Sequence, residues 1–424
     1  MVNGRVSMFI SYPLELCGLL AHTLSVAIFR QGDRARRFFL LKKNMTSAER
    51  KEGRYQRRKA LRDQKKKAFL IQFDNFALVA DPNHLYIAFR KSKRGVSWKE
   101  SIQRYEANLL LNISETVRKL NAGQSVCYGF MEFDLFERGK KRHIKSVHIF
   151  ERAVQKCFCD YVLVPIISRS LIYDNGASLK NKGLHFAIRR LITHLSKYYR
   201  HYKTNEGYCL QVDFSKYFDS IRHDILFKAI EKHIKDQRLI KLYRDFVSPF
   251  GNGISLGLGS QVSQISAIFY TNPLDHFIKE KCRIKYYGRY MDDLYLFHPD
   301  KEYLLKCLEG MNKVCAELGL TINMRKTRIT KLKDGVHFLK GIYSLNPKGK
   351  IIRRAKPESM KRMRRKLKKF SRLVEKGHMK YSDVRTAYQS WRGSYRRRFN
   401  AFHTIKRMDG LYNRLFIDDR RRVS

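Results

Sequence analysis

The stretch YYGRYMDDLYLF, residues 286–297, places two adjacent aspartates between two runs of aromatic and aliphatic residues. The flanking runs predict two β-strands, so Met291–Asp293 should form the tip of a β-hairpin. Adjacent carboxylates repel each other, and grouped carboxylates are costly unless a cation neutralises them. The pair therefore indicates half of a cation site in a hairpin that is otherwise apolar.

A third aspartate, Asp213, ends another predicted strand. The stretch GYCLQVDFSKYFDSIRHDIL, residues 207–226, begins with strand-like alternation and delivers Asp213 at its end. We expect a helix to follow directly, because apolar residues recur at helical spacing. A sheet that sets this strand beside the hairpin would bring Asp213 to Asp292. Two Mg²⁺ ions about 3.5–4 Å apart would then neutralise the cluster, with Mn²⁺ as a possible substitute.

The composition favours a polyanionic partner. The 424 residues include 88 Lys+Arg against 38 Asp+Glu, which gives a formal net charge of +50 at pH 7. Nucleic acid is the leading partner class, and an anionic membrane is the alternative. The 43% hydrophobic content supports a large core and excludes a disordered basic tail. The length allows two or three domains, or one multi-lobed enzyme.

The cysteines do not indicate a metal module. Eight are scattered without CxxC spacing, which argues against a zinc site and against a disulfide framework. Cys157 and Cys159 are expected to be buried helix residues. A reducing, cytoplasmic compartment is the simplest interpretation.

The apolar stretch 8–29 makes a poor membrane span, because Pro13, Glu15 and His22 interrupt the roughly 20 apolar residues that a span needs. No small-residue cleavage site of a signal peptide follows it. Translation that starts at Met45 and a peripheral appendage remain the two favoured interpretations. Stable membrane insertion is not expected.

Five regions are predicted along the chain: an extension at 1–44, a basic helical region at 45–127, and three larger regions at 128–206, 207–345 and 346–424. Residues 97–123 predict one amphipathic helix with Ser97 and Glu100 in capping-box spacing. Residues 128–149 predict two strands around a basic turn at 137–142.

The C-terminal region is expected to be helical and basic. Residues 346–372 hold thirteen Lys/Arg against one Glu, a balance that suits an RNA or hybrid backbone. Residues 387–416 mix Tyr, Trp and Phe with Arg. Those aromatic rings either stack on bases or form core, and their helical spacing favours core.

Several motifs resemble those of reverse transcriptases. Tyr290–Asp293 matches the YxDD box, and Asp213–Asp219 matches the first palm motif. Four further stretches follow the family order: GKKRHIKSVHIFERAVQK (139–156), GISLGLGSQVSQISAIFYTNPLD (253–275), LGLTINMRKTRI (318–329) and FLKGIYSL (338–345). The resemblance covers about residues 128–345.

The resemblance implies an α+β right-hand polymerase. Fingers would occupy 128–206, a palm with an antiparallel sheet carrying the YMDD hairpin would occupy 207–345, and a helical thumb would occupy 346–424. It further implies RNA-directed DNA synthesis, in which dNTPs extend a DNA or RNA primer on an RNA template. A non-catalytic nucleic-acid-binding protein and an RNA-dependent RNA polymerase are the alternatives. The intact aspartates, YMDD and Phe218 argue against them.

The resemblance also implies roles for individual residues. Asp213 and Asp292 would be the main metal ligands, with Asp293 as a lesser one and the Phe214 backbone beside them. Lys326 resembles the lysine that protonates pyrophosphate, or it is a solvated loop residue. Phe218 falls at the steric-gate position, or it is core. Other nucleotide contacts would come from Lys140, Lys141, Arg142, Leu258, Gly259, Ser263 and Gln264, and a primer grip from Phe338, Leu339, Lys340 and Gly341.

The central loop points to one branch of the family. Residues 258–264 read LGxxxSQ where most members have QGxxxSP, and this resembles the enzymes of bacterial and phage diversity-generating retroelements. That branch implies error-prone copying opposite template adenines, a small basic helical accessory protein, and a bacterial or phage-infected cell. An antiphage-defence or other bacterial retroelement enzyme is the alternative.

Overall fold

The computed structural model describes residues 46–137 and 139–418. The helices are α1 Ser47–Phe73, α2 Ala77–Ala80, α3 Pro82–Ser92, α4 Glu100–Ala107, α5 Leu109–Asn121, α6 Ile149–Phe158, α7 Val164–Ser168, α8 Leu184–Tyr202, α9 His223–Glu231, α10 Gln237–Val247, α11 Gln261–Tyr270, α12 Asn272–His276, α13 Lys301–Glu317, α14 Pro357–Glu375, α15 Tyr381–Arg398 and α16 Phe402–Asn413. The strands are β1 Phe130–Glu137, β2 Lys140–Val147, β3 Tyr208–Val212, β4 Tyr286–Tyr290, β5 Asp293–His298, β6 Arg328–Lys331, β7 Val336–Phe338, β8 Gly341–Leu345 and β9 Ile351–Ala355.

The chain divides into two compact units, residues 1–72 and 73–424. The described part of the first unit is a basic helix with no buried residue, as its polar sequence predicts. It begins with a capping box, in which the Thr46 amide donates to Glu49 Oε2 (2.7 Å) and the Glu49 amide donates to Thr46 Oγ1 (3.2 Å).

The predictions for the stretch 8–29 and for Met45 lie outside the described residues. Within the described ranges, no helix is both long enough and apolar enough to cross a membrane.

The second unit is built around an antiparallel sheet in the order β4-β5-β3-β6. Its central strand β5 is buried on both faces, which explains the continuous apolar run Leu294–Phe297. Helix α8 packs against β4 through Leu191 and Leu195, which join Tyr295 in one apolar cluster. The predicted strand at 208–212 and the predicted hairpin at 286–297 are confirmed.

A separate two-stranded hairpin, β1–β2, precedes the sheet, as predicted. The basic residues that were predicted to form its turn belong to strand β2 instead: Lys140, Lys141 and Arg142. Lys141 pairs with Phe136 and Arg142 with Leu135, so the ladder continues through them. The prediction of a six-residue basic turn was therefore wrong, and the connection is much tighter.

Helix predictions near residues 97–123 and 214–230 also needed correction. Asn108 has φ −114° and ψ 35°, which divides the first stretch into α4 and α5, and α4 begins after Lys99 without a side-chain cap. The residues after Asp213 first make a short 3-10 turn, Phe218–Ser220, and α9 begins only at His223. In both places apolar spacing was correct, but local backbone geometry ended or delayed the helix.

The C-terminal part begins with a second antiparallel sheet, in the order β7-β8-β9. Strand β9 falls in a region that was predicted to be mostly helical. The helices α14, α15 and α16 follow it and pack around Leu367, Tyr388 and Tyr412. Most of the C-terminal aromatic rings therefore form core, as expected from their spacing.

The described cysteines are all free. Cys157 and Cys159 are fully buried at the end of α6, as predicted. Burial raises the pKa of the Cys157 thiol to about 12, so it stays protonated at neutral pH.

Candidate active site

Strand pairing brings the three aspartates to one edge of the central sheet. In the antiparallel ladder between β3 and β5, Val212 pairs with Leu294. Continuing that register by one residue sets Asp213 beside Asp293. The two positions are far apart in sequence, and the sheet brings them together as expected.

The hairpin tip is a two-residue turn. Tyr290 pairs with Asp293, which leaves Met291 and Asp292 as the connection between β4 and β5. Met291 has φ +54°, a conformation that favours glycine or asparagine and costs a methionine about 1 kcal/mol. This tight turn holds Asp292 directly next to the first residue of β5.

The electrostatics of the cluster show uncompensated negative charge. Burial raises the pKa of Asp292, and the charge of Asp213 raises it further. Burial, then Asp292 and then Asp213 raise the pKa of Asp293 to about 6. Lys326 and Lys356 lower the pKa of Asp293 but do not compensate for these effects. The three carboxylates therefore interact strongly as a group.

Lys326 contacts the cluster directly. Its Nζ donates to Asp213 Oδ2 at 2.8 Å. The hydrogen bond and the charge of Asp213 raise the pKa of Lys326, so it carries a proton at neutral pH. The loop that carries Lys326 is held by the Asn323 amide, which donates to the Asp213 carbonyl oxygen at 2.8 Å.

No described group of three or more His, Cys, Asp or Glu residues is arranged to hold a metal ion. The donors at the sheet edge are nevertheless carboxylate oxygens, which Mg²⁺ prefers. The Lys326 ammonium contacts Asp213 and partly compensates the negative charge of that carboxylate. In donor chemistry and in charge, the cluster therefore fits hard divalent cations.

The hairpin β1–β2 distinguishes between the three predicted basic contacts. Lys141 forms an ion pair with Asp134 (Nζ–Oδ2, 2.9 Å) on the hairpin itself. Arg142, by contrast, is near enough to Asp292 for its charge to lower the pKa of that carboxyl. The side chain of Lys140 lies outside the described part of the structure. Of the two predicted contacts whose side chains are described, Arg142 is therefore the one whose charge affects the aspartates of the candidate active site.

The loop 258–264 packs against strand β2. The Lys145 amide donates to the Leu258 carbonyl oxygen at 3.0 Å. Gly259 has φ +126°, and a Cβ there would lie 2.6 Å from the Lys145 carbonyl oxygen. This close backbone contact requires glycine.

Helix α11 begins at the end of the same loop. Ser260 caps it by accepting from the Ser263 amide (3.3 Å), and its hydroxyl donates to Gln155 Oε1 (2.8 Å). Ser263 is fully buried, and its hydroxyl has no partner among the described residues. Gln264 is exposed. The four predicted nucleotide contacts here therefore differ strongly in accessibility.

Phe218 lies in the 3-10 turn that follows Asp213 and is only partly buried. Its ring stands edge-on to Tyr217, with centroids 5.7 Å apart. The Phe218 carbonyl oxygen accepts from the Leu256 amide at 2.8 Å, which ties the turn to the central loop. The ring is therefore not a buried core residue.

The predicted grip residues lie on the hairpin β7–β8. Leu339 (φ +45°) and Lys340 (φ +68°) form its two-residue turn between Phe338 and Gly341. Phe338 is buried edge-on against Tyr295, with centroids 5.0 Å apart. Arg398 donates from Nη2 to the Leu339 carbonyl oxygen at 2.5 Å. Leu339 and Lys340 are the more accessible members of this set.

One important part of the site was not predicted from the sequence. Arg289 on β4 and Asp275 on α12 form a fully buried, bidentate ion pair, with Nε–Oδ1 at 2.9 Å and Nη2–Oδ2 at 2.6 Å. Arg289 Nη1 also donates to the Met291 carbonyl oxygen at 3.3 Å. The pair thus anchors β4, the strand that leads into the turn with Asp292. An arginine inside the apolar run YYGRY was the available signal.

Comparison with known proteins finds a family match in sequence. Residues 134–342 match the sequence profile of the family described as reverse transcriptase (RNA-dependent DNA polymerase). No curated protein matches the chain in sequence.

Among solved structures, the chain is similar to telomerases at 13% sequence identity. An apo telomerase from Candida tropicalis, truncated from its C-terminal domain, gives a TM-score of 0.41 over 52% of this chain and 54% of that chain. A telomerase from Candida albicans in complex with a TWJ fragment of telomeric RNA gives a TM-score of 0.43 over 60% of this chain and 52% of that chain. This chain thus spans about half the length of those proteins. Over residues 134–342, just under half of its length, the chain is therefore similar in sequence to reverse transcriptases.

Proposed function

We propose that the protein is an RNA-directed DNA polymerase that extends a primer by two-metal nucleotidyl transfer. The observation that carries the proposal is the sheet register that groups Asp213, Asp292 and Asp293. In this proposal the sheet β3–β6 is the palm, the hairpin β1–β2 with α6 belongs to the fingers, and α14–α16 form the thumb. The template is RNA, the primer is DNA or RNA, and the substrates are dNTPs.

The aspartates would hold the metal ions. Asp213 and Asp292 would be the main ligands, with Asp293 and the backbone of Phe214 beside them. Two bound Mg²⁺ ions, or Mn²⁺ in their place, would activate the primer 3′-hydroxyl and neutralise the departing pyrophosphate. The raised pKa values of Asp292 and Asp293 support this assignment, because a cation there would relieve the repulsion that contributes to them.

Two cations of the chain would act on the phosphates. The charge of Arg142 lowers the pKa of Asp292, so Arg142 lies close enough to the aspartates to neutralise triphosphate oxygens bound there. Lys326 is protonated and lies on Asp213, so it has a proton to give to the leaving pyrophosphate. A Lys326→Gln substitution should therefore lower kcat by about 10²-fold or more.

Phe218 would select the sugar of the nucleotide. Its partly exposed ring, five residues after Asp213, would clash with a 2′-hydroxyl. We expect wild type to use dNTPs in preference to rNTPs on an RNA template. Phe218→Ala should raise rNTP use at least about tenfold, while Phe218→Tyr should retain selection. Incorporation of each nucleotide type into a primer measures this.

The test of the function is the product itself. Wild type with an annealed primer, an RNA template, dNTPs and Mg²⁺ should make DNA complementary to the template. If wild type used rNTPs as readily as dNTPs, the RNA-dependent RNA polymerase class would replace this proposal. RNA binding without extension under all primer and metal conditions would favour the non-catalytic class.

We also infer error-prone copying of the diversity-generating retroelement type. Its support is Leu258, an aliphatic residue in the loop that contacts β2 through backbone atoms. An aliphatic side chain cannot supply the polar contacts that help to discriminate a correct nascent pair. Sequenced cDNA should show errors opposite template adenines, and Leu258→Gln should reduce them. Errors spread evenly over all template bases would instead favour a defence or other retroelement enzyme.

The small basic helical accessory protein and the bacterial or phage-infected cytoplasm belong to the same retroelement proposal. If extension requires such a protein, adding it should raise the extension rate of wild type.

A further inference from the structure

The C-terminal part of the second unit contains a cavity of about 600 Å³. Helices α14 and α15 form its two walls, and the β7–β8 turn contributes Lys340. The volume lies within the range of small-molecule sites, about 300–1,000 Å³, and suits a single nucleotide. We call this space the C-terminal cavity.

The lining of the C-terminal cavity is strongly cationic. Lys340, Lys356, Arg362, Lys366 and Arg398 line it, against one carboxylate, Glu358. Within the described ranges, four of them form no ion pair with a carboxylate: Lys356, Arg362, Lys366 and Arg398. By contrast, Arg392, also on α15, is paired with Asp409 at 2.9 Å. The cavity thus concentrates positive charge that suits an anionic ligand.

The opposite wall is aromatic. Trp391, Tyr395 and Phe399 line the cavity in sequence along α15 and just past its end. The Trp391 and Tyr395 rings lie 4.8 Å apart between centroids, and those of Tyr395 and Phe399 lie 5.2 Å apart. Tyr395 and Phe399 are buried, whereas Trp391 is only partly buried. A nucleobase can pack on such a surface.

Two donors in this wall lack hydrogen-bond partners. Trp391 Nε1 and Arg398 Nε are both buried, and neither has an acceptor within the described part of the chain. Buried donors are normally satisfied, so unpaired ones call for a physical explanation. A base or phosphate acceptor in the cavity would supply partners after a small side-chain movement.

We propose that the C-terminal cavity binds one unpaired nucleotide, with its phosphate on the cations of α14 and its base against Trp391. The ligand chemistry is a nucleoside phosphate, either free or as one unit of a single strand. Binding there requires neither the aspartate cluster nor a metal ion. The cavity adjoins the proposed polymerase site, because Lys340 of the predicted primer grip lines it and Lys356 of its lining lowers the pKa of Asp293. Nucleotide binding in the cavity can still be measured separately from primer extension.

Trp391 gives a direct readout of this binding. The chain has two tryptophans, and the other, Trp98, is 73% exposed outside the cavity. In a Trp98→Phe protein without divalent ions, dAMP should change the emission of Trp391 saturably. Parallel titrations with a dA5 or rA5 oligonucleotide distinguish a strand from a free nucleotide, because a strand ligand would bind more tightly than dAMP.

A matched pair of double variants tests the location. Arg362→Gln/Lys366→Gln removes two cations that line the cavity. Lys361→Gln/Arg365→Gln removes two exposed cations of α14 that do not line it. We expect the first variant to weaken dAMP binding at least about fivefold, and the second to change it less than twofold.

Three results would overturn the proposal: no saturable change of Trp391 emission, equal weakening in both double variants, or competition by inorganic phosphate as strong as that by dAMP. The last would show a bare anion site without a base contact. Asp292→Asn should retain dAMP binding while losing primer extension, which separates failure of this site from failure of the polymerase function.

Discussion

At the scale of single residues, the function proposed here depends on three carboxylates that repel each other. The sequence predicted them because two adjacent carboxylates in an apolar hairpin destabilise the fold unless a cation neutralises them. It could not choose among Lys140, Lys141 and Arg142, because the choice depends on how the hairpin pairs. In the paired hairpin, Lys141 forms an ion pair with Asp134, whereas the charge of Arg142 lowers the pKa of Asp292.

The carboxyl of Asp293 predicts a pH-dependent instability of the metal-free protein. Its pKa rises from 3.8 to about 6 on folding, so the folded state holds the proton that the unfolded state loses between these values. The stability from this proton is fully present below about pH 3.8 and is lost as the pH rises through about 6. At pH 7.5, Asp293 therefore destabilises the fold.

Asp293→Asn should consequently raise the free energy of unfolding at pH 7.5 by up to about 3 kcal/mol, and change it little at pH 4. Urea denaturation in EDTA measures this. Asp334→Asn, at an exposed position in the turn after β6, serves as the control and should stay within about 0.5 kcal/mol. An Asp293→Asn protein that is no more stable at pH 7.5 would contradict the repulsion.

At the scale of elements, the strands were easier to predict than the helix ends. Alternation and apolar runs identified β3, β4 and β5, since burial imposes those patterns directly. The break at Asn108 and the delayed start of α9 depend on backbone angles that side-chain spacing does not report. The anchor of β4 also escaped prediction, because Asp275 lies on a different element from Arg289.

The buried ion pair should be essential to the position of the YMDD hairpin. Arg289→Met leaves Asp275 charged and buried without its partner, so we expect a loss of about 3–5 kcal/mol of unfolding free energy. The double variant Arg289→Met/Asp275→Leu should lose less than the single variant. Arg222→Met, at a half-exposed pair with Asp224, should cost at most about 1 kcal/mol. Additive losses in the double variant would argue against the pair.

The contact between the central loop and β2 can be tested by two glycine substitutions. Gly259→Ala introduces both an unfavourable φ and a Cβ that meets the Lys145 carbonyl. Gly253→Ala introduces the unfavourable φ alone, at +79°, with open space around the Cβ. We expect Gly259→Ala to lower kcat/KM for dNTPs at least about tenfold more than Gly253→Ala. Equal effects would mean that the backbone contact has no role.

At the scale of the whole molecule, net charge gives a prediction of the partner class that does not depend on the fold, whereas the topology could not be predicted from the sequence. A net charge of +50 predicts a polyanion whatever the fold. Strand β9 was missed because Ile351–Ala355 is short and basic, and its pairing to β8 is decided by tertiary contacts. The C-terminal cavity likewise arises only once α14 and α15 pack together.

The charge predicts strong salt dependence of RNA binding. Between 50 and 200 mM salt, affinity should fall at least about a hundredfold, because phosphate contacts release counterions. Lys368→Gln/Lys369→Gln on α14 should make the slope of log K against log salt less negative by about one to two. Fluorescence anisotropy with a labelled RNA measures both. A salt-independent affinity would exclude backbone contacts as the main source of binding.

The most direct test of the central claim is the rate of single deoxynucleotide addition to a primer on an RNA template with Mg²⁺. Wild type and the Asp334→Asn control should add the templated nucleotide at rates within about twofold of each other. Asp292→Asn should be slower by at least about 10³-fold, because the site loses a main metal ligand. An Asp292→Asn protein that retains the wild-type rate would contradict the assignment of the hairpin carboxylates as the catalytic centre.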